Sequence, residues 1–159
     1  MGMMGAGKTT VGRALATRLG VPYADNDAAL TARTGEDAAS YALEHGVDRL
    51  HRLEHDILVD AVRAGNGAVV GAPGSIALDP DAPAVLAGQR AVWLRATLDT
   101  LSSRIPHDPV RPLLGTAPGA VLAALMRERE PGFARLATSV VDVDGLTVDA
   151  IVDRIAGDR

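Results

Sequence analysis

Near its start the chain reads Gly2-Met3-Met4-Gly5-Ala6-Gly7-Lys8-Thr9-Thr10, a gapless match to the phosphate-loop pattern G-x-x-x-x-G-K-[ST]. In this pattern the backbone must curl so that successive N–H groups point inward at an anion, and glycines permit both the curl and the close approach. Lys8 is then placed to reach the β- and γ-phosphates of a nucleotide, and the Thr9 hydroxyl to ligate Mg²⁺. A helix should follow directly, with its positive end under the phosphates. Gly5, Ala6, Gly7, Lys8, Thr9 and Thr10 are therefore the candidate nucleotide contacts. Lys8 is the only lysine in the chain, and every other permanently charged base is arginine. A chain that uses arginine everywhere else keeps a compact, mobile ammonium where a phosphate is to be bound.

The remaining composition mostly excludes. At 159 residues the chain suits one domain, residues 1–159, large enough to bury a core. An apolar share of 47% with 23% charged is that of an ordinary globular protein, and aromatics at 3% leave the core to Ala, Val, Leu and Ile. A net charge of −4, with no basic run, argues against general nucleic-acid binding. No apolar run reaches the length of a membrane span. The absence of cysteine suits a cytoplasmic protein, and a monomer is expected.

Periodicity supplies the elements. Val11, Leu15 and Leu19 recur every four residues before Gly20, predicting a helix from Thr9 to Leu19. Val21-Pro22-Tyr23-Ala24 reads as extended and ends in Asp25-Asn26-Asp27; helices are predicted over about 28–34 and from Leu50 to Arg63. Ala68–Gly71, Ala91–Leu94 and Ser139–Val143 are short apolar runs suited to strands buried on both faces. Further helices are expected over 84–87, 98–104, 120–130 and 148–155. Between Ile105 and Gly119, Pro106, Pro109, Pro112, Gly115, Pro118 and Gly119 break the chain too often for a simple connector, so residues 105–119 read as a mobile lid. Strands alternating with helices imply a parallel sheet covered on both faces. Ligands then bind at the carboxyl ends of the strands, where the phosphate loop, the Asp25–Asp27 turn and the Gly71–Gly74 turn all fall.

The opening from Gly2 to Ala16 resembles that of shikimate kinases, Asp25-Asn26-Asp27 resembles the family's D-[ST]-D, and Arg111-Pro112-Leu113-Leu114 its lid signature. The resemblance runs in order along nearly the whole chain. It implies a three-layer α/β/α phosphate-loop kinase fold with a parallel sheet, and ATP with Mg²⁺ as phosphate donor and cofactor. The acceptor it implies is the 3-hydroxyl of shikimate or a close relative. Lys8 and Thr9 keep their roles on phosphate and metal. Arg104 matches an arginine packed near adenine, and Arg111 the lid arginine that closes on the transferring phosphoryl group. Asp25 would hold the metal shell through water. Asp27 would hydrogen-bond the substrate hydroxyls and accept the proton, as a general base must. Arg129 matches one of two arginines that grip the substrate carboxylate, and Gly74 lies in the acceptor turn. The structural alternatives are an Asp helix cap for the aspartate pair and a solvated loop charge for Arg111.

The departures gather on the acceptor side. The family's G-E-x-x-F-R-x-x-E appears as Gly46 to Glu54 and puts His51 at the arginine position. Arginine offers a permanent charge and a bidentate fork, whereas histidine offers one donor and is largely neutral at pH 7. Arg52 is adjacent, but one helical residue on points about 100° away. The family's glycine triplet is Ala72-Pro73-Gly74 here, and Pro73 has no N–H to donate. His51-Arg52-Leu53-Glu54-His55 also fits H-x-x-E-H, a zinc pattern, although the kinase alignment already explains Glu54.

The leading expectation is an ATP-dependent kinase acting on shikimate or an analogue. The alternatives are a kinase for another polyhydroxylated acceptor and a nucleotide-binding pseudoenzyme. One further expectation concerns the sheet. In the resembling family the strand before the phosphate loop sits mid-sheet, and only Met1 stands there. Its loss would leave two neighbouring strands unpartnered. The working start is thus expected upstream, or the chain strongly destabilised.

Overall fold

The computed structural model describes residues 1–65, 67–105 and 118–157. Most of the predicted lid, Arg111 included, lies outside them. The element order is α1 (Lys8–Leu19), β1 (Tyr23–Asp25), α2 (Asn26–Thr34), α3 (Ala38–His45), α4 (Val47–Arg63) and β2 (Val69–Gly71). A 3₁₀ turn (Gly74–Leu78), α5 (Ala82–Val85), β3 (Val92–Arg95), α6 (Leu98–Arg104), α7 (Pro118–Leu136), β4 (Ser139–Asp142) and α8 (Val148–Gly157) complete it.

Among the described residues all strand pairing is parallel, as the alternation predicts. β1 pairs with β2 in the register Tyr23–Val69, Ala24–Val70, Asp25–Gly71. β3 pairs with β4, Val92 opposite Ser139. Among the described residues the sheet is in two two-stranded pieces, β2 and β3 sharing no ladder, in line with the expectation that two neighbouring strands lack a partner. Between them lies a slot of about 360 Å³, lined by Leu15 and Leu19 of α1, Leu58 and Val62 of α4, and the edges of β2 and β3. Met1 occupies its end: its amine donates to Val92 O at 2.8 Å, and Leu94 N donates to Met1 O at 2.9 Å. Met1 thus pairs with β3 on the side that faces the slot.

Helices α1 and α8 pack together, α1 also covers β1 and β2, and α4 packs on β2, consistent with three layers. The main core joins Met3, Ala6, Leu58, Trp93, Phe133 and Ile151. A second, smaller cluster of Leu30, Ala42, Leu50 and Ile57 ties α2, α3 and α4 into a helical lobe. Two boundaries differ from expectation. The sequence reading misses α3, whose Asp37 cap bonds Ser40 N at 2.7 Å. It also stops α7 at Glu130, one residue before Pro131. The helix runs on to Leu136 because Phe133 is fully buried there, which outweighs the one backbone bond that proline removes. No helix among the described residues is long and apolar enough to cross a membrane.

Candidate active site

The phosphate loop closes on itself before α1 starts. Ala6 N donates to Met3 O at 3.2 Å, and Gly7, the residue ahead of the helix, has φ 87°, a conformation open to glycine at little cost. Lys8 folds back over the loop, its Nζ donating to Met3 O at 3.1 Å.

Lys8 and Thr9 line a cavity of about 560 Å³. β1 and the start of α2 contribute Tyr23, Asp25, Asn26 and Asp27. From α4 come Val47, Leu50, His51 and Glu54, whose i, i+3, i+4, i+7 spacing puts them on one helical face. Helix α7 adds Val121, Leu125 and Arg129, again four residues apart. Ala72, Pro73, Gly74 and Ser75 close the remaining side. Asp27, His51, Gly74 and Arg129, drawn from four separated stretches, thus surround one space that opens onto Lys8.

Charge in this space is out of balance. Burial pushes the Lys8 ammonium below the usual lysine range; Asp27 opposes the shift and Arg129 adds to it. Burial also lowers Arg129, with Glu54 opposing, and its Nε is buried with no hydrogen-bond partner. His51 is pushed below the ordinary imidazole value by burial and then by the Arg129 charge, against Asp48 and Glu128. Glu54 is raised by burial, while Ser75 Oγ donates to it at 2.5 Å. Buried cations held below their ordinary pKa gain from a bound anion. Two such cations line this cavity.

Individual expectations fare differently. Asp25 caps α2, its Oδ1 accepting from Asp27 N at 3.0 Å and Ala28 N at 3.2 Å, and it also lines the cavity, so the helix-cap alternative and the site reading both hold. Arg52 is exposed and lines a neighbouring hollow, whereas His51 lines the cavity. Gly74 makes room for Arg129: a Cβ there would lie 2.8 Å from Nη1. Thr10 is exposed, and Arg104 is exposed at the end of α6, away from the cavity. Arg111 lies outside the described residues. In the H-x-x-E-H stretch, Glu54 is bonded to Ser75 and His55 Nδ1 to Asp79.

Sequence reasoning missed Tyr23 and gave Glu54 no role. Tyr23 was findable: it sits two residues before Asp25, so strand alternation puts both on one face. Its phenol is pushed up to about 12 by burial and the Asp25 charge.

Comparison with known proteins follows the same line. A family model described as shikimate kinase matches residues 4–158. The shikimate kinase of Thermobifida fusca is 39% identical over 156 residues, covering 98% of this chain and 90% of that one. That of Frankia casuarinae is 38% identical, covering 98% and 69%. Among solved structures, a shikimate kinase from Acinetobacter baumannii in complex with shikimate superposes with a TM-score of 0.86 at 24% identity, over 98% of this chain and 87% of that chain. One from Bacteroides thetaiotaomicron gives 0.87 at 24%, over 99% and 94%.

Proposed function

The chain belongs to the shikimate kinase family, and from that premise we propose that it transfers the γ-phosphoryl group of ATP to the 3-hydroxyl of shikimate. The observation that carries this is one cavity lined by two partly buried cations, Lys8 and Arg129, together with Asp27. Phosphoryl transfer needs positioning and charge neutralisation more than covalent help. In this reading Lys8 leaves Met3 O and binds the β- and γ-phosphates. Arg129 takes the acceptor carboxylate, which supplies the missing partner for Nε. Asp27 holds the attacking hydroxyl and accepts its proton. Arg111 closes over the transferring group, and Arg104 packs near the base.

The Thr9 hydroxyl and Asp25 carboxylate are hard oxygen donors on one wall, a set that fits Mg²⁺. They would hold the ion, which neutralises charge on the phosphates when bound.

A coupled assay of ADP release tests the proposal. Turnover that needs both ATP and shikimate, and falls at least about a hundredfold in Lys8→Ala, is expected. Nucleotide binding without shikimate-dependent release would leave a pseudoenzyme. His51 and the buried Pro73 favour a second reading, a polyhydroxylated acceptor lacking a carboxylate; turnover of such an acceptor in preference to shikimate would establish it.

A further inference from the structure

Tyr23 occupies a niche that two glycines keep open. A Cβ on Gly12 of α1 would lie 2.4 Å from its ring Cε2, and one on Gly71 of β2 would lie 2.4 Å from its hydroxyl. Arg13 covers the ring, its Cζ 6.0 Å from the centroid. The ring is fully accounted for by this packing. The hydroxyl is not. It is buried and no hydrogen bond of ordinary geometry reaches it, although the Thr9 hydroxyl and the Asp25 carboxylate both lie close enough to act on it as weak hydrogen-bonding neighbours. Phenylalanine would fill the same niche without stranding a polar atom, so packing alone gives no reason for the oxygen.

The position of that oxygen gives one. Asp25 follows Tyr23 on the same face of β1, and the hydroxyl lies over Gly71, the residue paired with Asp25 at the carboxyl end of the strands. Tyr23, Thr9 and Asp25 all line the cavity wall where the ion would sit. A phenol is a protonated donor at neutral pH. We propose that Tyr23 is a further residue of the metal–nucleotide site, its hydroxyl donating a hydrogen bond to the oxygen shell of the ion that Thr9 and Asp25 would hold. This rests on the reading of the site as that of an ATP-dependent kinase.

Tyr23→Phe separates this from a packing role. Calorimetric titration with ADP plus Mg²⁺, titration with ADP plus EDTA, and thermal melting without ligand are compared for both proteins. The Mg–ADP affinity is expected to fall about tenfold, metal-free ADP affinity to stay unchanged, and the ligand-free Tm to hold or rise. Equal weakening with and without metal, or no weakening with Mg²⁺, would overturn the role. A lower ligand-free Tm with no metal-specific loss would assign the hydroxyl to the fold instead. If the unsubstituted protein binds ADP equally with and without Mg²⁺, the kinase reading itself fails, and Tyr23's role with it.

Discussion

His51 carries the largest chemical change in the site, since it faces the cavity beside Arg129 where the family pattern places a second arginine. Burial and the neighbouring guanidinium hold it below the ordinary imidazole value, so at pH 7 it is neutral and contributes no charge to a carboxylate. Lowering the pH through the histidine range adds a positive charge there, while a carboxylate ligand stays ionised down to about pH 4. The KM for shikimate is therefore expected to fall as pH drops from 7.5 toward about 5.5. His51→Arg should lower KM at pH 7 by about tenfold and flatten that dependence. Initial rates across pH with both proteins check this; a KM indifferent to pH and to the substitution would show that His51 does not contact the carboxylate. Any slope left in the arginine variant reports Glu54, whose carboxyl burial raises and which faces the same space.

At the level of elements, the site depends on how α7 seats against the 3₁₀ turn. Gly132 is the contact point: a Cβ there would lie 1.8 Å from Ala77 O, a backbone atom that cannot move aside cheaply. The turn carries Gly74 and Ser75, and α7 carries Arg129, so one packing contact positions both sides of the acceptor end. Gly132→Ala is expected to cost about 3 kcal/mol or more of stability, read from chemical denaturation, against the roughly 0.5–1 kcal/mol gain that glycine-to-alanine brings in an unobstructed helix. An unchanged midpoint would mean that the helix ends near Pro131 in solution, as the proline alone predicts.

For the whole molecule, the dominant feature is the slot between β2 and β3. Apolar side chains from α1 and α4 face it, and the edges of β2 and β3 reach it, with Met1 bonded to Val92 and Leu94 at one end. An extended segment, apolar on both faces and continuing from Met1, would join the two sheet halves and satisfy those edges. Adding Val-Ile-Val-Leu ahead of Met1 is expected to raise Tm by about 5 °C or more, whereas Asp-Lys-Asp-Lys should not. Melting curves of the three chains decide it. Equal effects of both extensions would show that the slot closes by itself.

Much of this protein is determined locally and can be read without coordinates. The phosphate loop, the parallel strands and the convergence of three turns on one edge follow from glycine placement and periodicity, because backbone sterics and side-chain period act over a few residues. The family is legible for the same reason: its motifs are short and contiguous. What sequence could not supply is set by contacts between distant segments. The run of α7 past Pro131 depends on burial of Phe133. That His51 rather than Arg52 meets the cavity follows from the face α4 buries. The role proposed for Tyr23 rests on a hydroxyl stranded between α1, β1 and β2, which neither residue type nor spacing reveals. An unsatisfied polar atom exists only once tertiary packing has removed the water that would otherwise bind it.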